Sequence, residues 1–134
     1  MKLSELMKGL NLPANLNDDM EIAGITCDSR RVDKGWVFVC IRGSSADGHR
    51  FAPQAEKAGA ALIVAEEDTG CSSQLLVPST RLAWAAMCSN WFNNPASRLK
   101  LVGVTGTNGK TSTTYMLKSL LESCGYRVGL VGTI

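Results

Sequence analysis

The sequence predicts an α/β chain in two parts. A small N-terminal α/β domain occupies residues 1–95, and residues 98–134 form a strand, a helix and a strand that open a second domain. Three observations point there. Short apolar runs alternate with helical patterns along the chain, the arrangement of a sheet covered by helices. Residues 36–41 are six apolar positions in succession, the pattern of a strand buried on both faces. A glycine-spaced loop, GVTGTNGKTSTT at 103–114, stands between an apolar run and a helical pattern.

Taken in order, Leu3, Leu6, Met7 and Leu10 fall at helical spacing and predict a short amphipathic helix, followed by the polar loop NLPANLNDD at 11–19. Strands are expected at 21–27 (EIAGITC) and 36–41. A helix follows around FAPQAEKAGA, ending near Gly59, and ALIVAEE at 61–67 reads as another buried strand. QLLVPS at 74–79 gives a short strand. Ser79 or Thr80 caps a helix through RLAWAAMCSNWF, which NNPAS at 93–97 stops and which thereby sets the domain boundary. Beyond it, LKLVGVTG reads as a strand, GKTSTTYMLKSLLESCG as a helix closed by Gly125, and YRVGLVGTI as a strand. Strand, helix and strand in that order imply a parallel βαβ unit with a right-handed crossover. One unit of about 36 residues leaves parallel strands without helices on both faces, so the second domain is expected to be truncated at Ile134.

Composition narrows the function classes. With 134 residues, 45% hydrophobic and 19% charged, the chain is long enough for one real core. A formal charge of +2, with fourteen scattered basic residues, excludes a nucleic-acid track or a polybasic membrane anchor. Five cysteines, Cys27, Cys40, Cys71, Cys88 and Cys124, form no CxxC pair and sit mostly in apolar runs; they read as reduced, buried thiols. No run of eighteen apolar residues and no signal peptide is present, so a soluble, cytoplasmic protein without membrane partners is expected.

The chemistry concentrates in the glycine loop. Backbone N–H groups at a helix N-terminus are unpaired and carry partial positive charge, so a loop that exposes them binds phosphate. Gly106 and Gly109 let the backbone approach the ligand, Lys110 reaches the terminal phosphates, and Thr111 offers its hydroxyl to Mg²⁺. The strict pattern GxxxxGK[ST] is not met, because Val104 stands where it needs glycine; the pattern present is GxxGxxGKT. Elsewhere, Asp28 and Arg30 suit a structural ion pair as well as a ligand role. His49, the one histidine, follows a glycine turn, and contact with substrate or a role as proton carrier is its minority reading. Trp84, Trp91 and Phe92 read as helix packing, and Glu66, Glu67 and Asp68 as a solvated charge run.

VTGTNGKTSTT resembles the ATP loop of the Mur ligases, cytoplasmic enzymes that add amino acids to UDP-linked muramic acid in peptidoglycan synthesis; the folylpolyglutamate synthases have a related loop. Upstream, the block from GITCDSRR to ALIVAE, residues 24–66, is similar to the N-terminal UDP-binding domain of the members that add the third residue and the D-Ala-D-Ala dipeptide. TGTNGKT is more like the third-residue enzymes. The resemblance makes residues 98–134 the start of a P-loop ATPase domain. It places Gly106, Thr107, Asn108, Gly109, Lys110, Thr111 and Ser112 at ATP, with Lys110 catalytic and Thr111 on Mg²⁺. Cys27, Ser29, Ser44, Ser45 and Ala46 fall beside the UDP-sugar. Cys27 departs from the aliphatic residue expected there.

The implied reaction is ATP-dependent amide-bond formation through an acyl phosphate. Its substrates are UDP-N-acetylmuramoyl-L-Ala-D-Glu and an amino acid, and its catalyst is a monomer. The other Mg²⁺ ligands, the adenine site and a carbamylated lysine are expected beyond Ile134, leaving this chain alone inactive. The dipeptide-adding ligase, a different P-loop phosphotransferase and a non-catalytic UDP-sugar-binding module are the alternatives.

Overall fold

A computed structural model describes residues 1–10, 16–44 and 46–132. The chain divides into two compact units, residues 1–98 and 99–134. In the first, the strands β1 (Gly24–Thr26), β2 (Trp36–Val39), β3 (Leu62–Ala65) and β4 (Gln74–Leu76) form one parallel sheet in the order β1-β2-β3-β4. Gly24 pairs with Trp36, Val37 with Leu62 and Ile63 with Gln74, so the four strands run in register from the same end. Each lies inside its expected segment and is shorter than it.

The uninterrupted apolar runs are explained by the two faces of this sheet. Side chains alternate along a strand, and Val37, Val39, Leu62 and Val64 belong to one core with Leu3, Leu6, Ala83 and Met87. Phe38, Cys40, Ile63 and Ala65 belong to the other, with Ala52 and Ala55. The helices α1 (Leu3–Leu6) and α3 (Thr80–Trp91) therefore cover one face and α2 (Ala52–Lys57) the other. Asn90 of α3 donates from Nδ2 to the carbonyls of Leu6 and Lys8, both at 2.9 Å, and locks α3 onto the N-terminal turn.

Two expectations about this unit need adjusting. The first helix spans four residues where eight were expected, because the chain turns at Met7–Gly9. Trp84 and Trp91 do pack against the core, but Phe92 is 67% exposed, one residue past the end of α3. The helix stop is as expected: Asn93 and Asn94 take φ of 58° and 50°, a left-handed conformation that asparagine tolerates better than most residues, and Pro95 follows. Of the polar loop at 11–19, residues 11–15 lie outside the described residues.

The second unit carries α4 (Lys110–Ser123), inside the expected helix, and Tyr126 N–H donates to Leu121 O at 3.1 Å past its end. The flanking strands are not formed among the described residues, which corrects the βαβ expectation at the level of its strands. Leu101 and Val102 are 74% and 70% exposed, and Val131 is fully exposed. A parallel strand needs hydrogen-bonded neighbours, and among the described residues these two segments have none. Thr133 and Ile134 lie outside the described residues. The α/β class itself stands.

Candidate functional site

Because all four strands are parallel, their carboxyl ends share one edge, where open α/β sheets bind ligands. Cys27, Asp28 and Ser29 follow β1, residues 40–47 follow β2, Glu66 to Asp68 follow β3, and Ser79 and Thr80 follow β4. The expected substrate residues Cys27, Ser29, Ser44 and Ala46 thus lie on loops trailing adjacent strands. Cys27, Ser44 and Ala46 are exposed and Ser29 is half-buried. Ser45 lies outside the described residues. Asp28 caps the turn Ser29–Arg31 and takes a two-pronged grip from Arg30, Nε at 2.9 Å and Nη2 at 2.8 Å. That hydrogen-bonded guanidinium holds the Asp28 carboxyl down to about 2. The pair is structural in form, and it shapes the turn that presents Ser29.

The loop after β2 is closed at its base. Gly43 N–H donates to Ala46 O at 2.8 Å, Arg42 and Asp47 form an antiparallel bridge, and Gly48 N–H donates to Ile41 O at 3.0 Å. Gly48 allows this closeness: a Cβ there would stand 2.7 Å from both the nitrogen and the oxygen of Ile41. Arg42 is the hub of the charges, with Asp47 at 3.2 Å, Glu67 at 2.8 Å and Glu66 at 3.8 Å. Arg81, in the first turn of α3, donates to the Arg42 carbonyl at 2.6 Å. Glu66 accepts from both the backbone and the hydroxyl of Thr80, at 2.9 and 3.0 Å, and these bonds hold its carboxyl below the usual range. Bonds from His49 do the same for Asp47.

The residues Glu66, Glu67 and Asp68 are therefore framework, not a freely solvated run; Asp68 too is engaged, by Gln74 Nε2 at 2.6 Å and Gly70 N–H at 2.8 Å. Ligand atoms of Asp47, His49 and Glu67 lie within 4.8 Å of one another. Internal partners already occupy that group: Glu67 holds Arg42, and both nitrogens of His49 are engaged, Nδ1 with Asp47 at 2.6 Å and Nε2 with the Glu66 N–H at 2.9 Å. Sequence reasoning missed Arg42, Asp47 and Glu66. The available signal was opposite charge on either side of a serine-containing loop, Arg42 and Asp47.

All five cysteines are free thiols, but the expected burial is complete for only two of them, with Cys88 half-buried. Cys40 and Cys71 are buried and Cys40 is pushed up to about 12, chiefly by burial, with Cys71 and Asp47 adding to it. Cys27 and Cys124 are exposed, against expectation, because Cys27 lies beyond the end of β1 and Cys124 is the C-cap of a helix with no buried face.

In the second unit the glycine loop leads directly into α4. Gly109 is the N-cap at φ 74°, a conformation that glycine adopts without penalty, and it brings no side chain to cap the helix. The first helical bond runs from Thr113 N–H to Gly109 O, at 2.9 Å, so the amides of Lys110, Thr111 and Ser112 precede the ladder. A Cβ at Gly103 or Gly109 would meet nothing within 4 Å, so the space over the loop is open. The Lys110 ammonium folds over the loop, 2.5 Å from Gly106 O and 3.4 Å from Thr107 O. Open amides, a nearby ammonium and the exposed Thr111 fit a phosphate and the divalent cation that accompanies it.

A parallel sheet with loops gathered at its carboxyl edge, in one chain with a glycine loop heading an uncapped helix, defines an α/β protein with a phosphate-loop segment. Residues 21–90 match the family model described as Mur ligase family, catalytic domain, and residues 104–134 match the Mur ligase middle domain. The chain belongs to the Mur ligase family. It is 46% identical over 140 residues to the UDP-N-acetylmuramoyl-L-alanyl-D-glutamate–2,6-diaminopimelate ligase of Syntrophomonas wolfei, and 43% identical over 140 residues to that of Clostridium botulinum. All of this chain is covered, but only 28% and 29% of those relatives, so it spans under a third of their length.

Among solved structures, a UDP-N-acetylmuramoyl-L-alanyl-D-glutamate–2,6-diaminopimelate ligase matches with a TM-score of 0.76 over 98% of this chain and 27% of that one, at 22% identity, a likeness of fold. MurF of Thermotoga maritima, solved in complex with ADP, matches with a TM-score of 0.54 and 32% identity over 81% of this chain and 25% of that one. Among the described residues, no helix is long and apolar enough to cross a membrane.

Proposed function

We propose that the chain supplies the UDP-sugar-binding domain and the ATP phosphate loop of a cytoplasmic, monomeric ligase. That enzyme adds the third amino acid to UDP-N-acetylmuramoyl-L-Ala-D-Glu. The observation that carries this reading is the phosphate loop at the start of α4, with its open amides and overlying lysine. The sheet-edge loops around Ser29, Ser44 and Ala46 supply the second half of the assignment, and relatives at 41–46% identity bear the name of the diaminopimelate-adding ligase.

In this reading the amides of Lys110, Thr111 and Ser112 hold the ATP phosphates, with Gly106, Thr107, Asn108 and Gly109 forming the turn. Lys110 exchanges its carbonyl contacts for phosphate oxygens and balances the charge that develops on transfer. Mg²⁺, held in part by Thr111, supplies further charge neutralisation when bound. A free carboxylate is a poor electrophile. Transfer of the γ-phosphoryl group to the terminal carboxylate of the UDP-sugar peptide gives an acyl phosphate and ADP, and attack by the incoming amine then expels phosphate. Ser29, Ser44, Ser45 and Ala46 offer hydroxyl and backbone groups to the nucleotide, and the Cys27 thiol packs beside it.

The reading is tested in the protein that carries this chain, by following ADP release with MgATP, UDP-N-acetylmuramoyl-L-Ala-D-Glu and either diaminopimelate or lysine. ADP release that requires the UDP-dipeptide, and falls at least a hundredfold in Lys110→Ala, is the expected result. Turnover that requires the UDP-tripeptide and D-Ala-D-Ala would instead assign the dipeptide-adding step.

A further inference from the structure

We propose that His49 is a positioning residue for the nucleotide-sugar site, tying the loop after β2 to the backbone leaving β3 through a neutral ring protonated on Nδ1. This rests on the reading of Ser44 and Ala46 as substrate contacts. The tautomer follows from the partners. The Glu66 N–H is able only to donate, so Nε2, at 2.9 Å, is the acceptor; Nδ1 then carries the proton and donates to Asp47 Oδ1 at 2.6 Å. Asp47 Oδ1 also accepts from the His49 N–H at 3.0 Å, and Asp47 Oδ2 accepts from Arg42 Nε at 3.2 Å. One ring with a side chain 5% exposed therefore joins two loops that trail neighbouring strands.

The charged groups around the ring reinforce this role. Asp47 from its own loop and Arg42, beyond β2, close the base of the loop that carries Ser44 and Ala46, while Glu66 and Glu67, beyond β3, grip Arg42 from the other side. A second proton on His49 would replace the Nε2 acceptor with a donor and set it against the Glu66 N–H. A proton carrier needs one nitrogen free to face the reaction, and His49 has none free. Its chemistry is spent on holding the loop, and the exposed Ser44 and Ala46 are held with it.

The test uses two partial isosteres in the full chain. His49→Asn keeps an amide donor near the Nδ1 position but is too short to reach Glu66; His49→Gln places its amide near the Nε2 position and loses the Asp47 donor. Calorimetric titration with UDP-N-acetylmuramoyl-L-Ala-D-Glu is expected to show both about tenfold weaker than wild type, the loss of roughly one buried hydrogen bond, with MgATP affinity unchanged. Binding within twofold of wild type in both variants would overturn the bridge. Wild-type chain that is folded and fails to bind the UDP-sugar defeats the functional reading instead, a result distinct from either. Should the variants not fold, nitrogen-15 NMR of the wild-type imidazole decides: a proton on Nδ1 at neutral pH supports the bridge, and one on Nε2, or on both nitrogens, overturns it.

Discussion

At the residue scale, the proposed phosphate loop has a pattern in the sequence, whereas the framework around the sheet edge has no such pattern. Lys110 and the glycines before it announce phosphate because few other reasons place that pattern between a strand-like run and a helix. His49 and Glu66 announced nothing comparable: their partners are a backbone N–H and a helix start that only the folded sheet brings near. Gly48 belongs with them, since its need for hydrogen in place of a side chain comes from the approach of Ile41. Gly48→Ala is expected to lower stability by about 1 to 3 kcal/mol, the usual range for forcing a methyl group into filled space, and to loosen the loop that carries Ser44 and Ala46. Thermal unfolding followed by circular dichroism checks it; an unchanged midpoint would mean that the Ile41 backbone yields freely.

At the element scale, strands were legible where both faces of the sheet demand apolar residues, as in Trp36–Val39 and Leu62–Ala65. The segments at 99–106 and 126–132 have similar composition but no paired neighbour among the described residues, and composition cannot report whether a partner is present. Helix starts were easier. Ser79 caps α3, though its 3.4 Å bond from Leu82 N–H is long and Glu66 secures the same turn through Thr80. Ser79→Ala is accordingly expected to cost about 0.5 kcal/mol, the low end for an N-cap. A fall in melting temperature well beyond about 4 °C would show that the cap carries more of the helix start than this geometry implies.

At the scale of the whole molecule, the carboxylates around the sheet edge set the acid limit. Asp28, Asp47 and Glu66 all titrate below their ordinary values in the folded chain because each accepts hydrogen bonds from defined donors. Their contribution is complete above the unfolded-state values and is lost as pH falls through the folded ones, so stability should decline from about pH 4 toward pH 2. Asp28→Asn should flatten the lower part of that decline, down to the folded value of about 2. Melting curves across this range measure it, and an unchanged slope in the variant would remove Asp28 from the account.

The central claim is that one chain joins a UDP-sugar-binding sheet edge to an ATP phosphate loop. Isothermal titration of the folded chain with UDP-N-acetylmuramoyl-L-Ala-D-Glu tests it most directly. The account predicts saturable binding at one site, weakened by Ser29→Ala and unaffected by Lys110→Ala. A folded chain that shows no saturable heat with this ligand would contradict it.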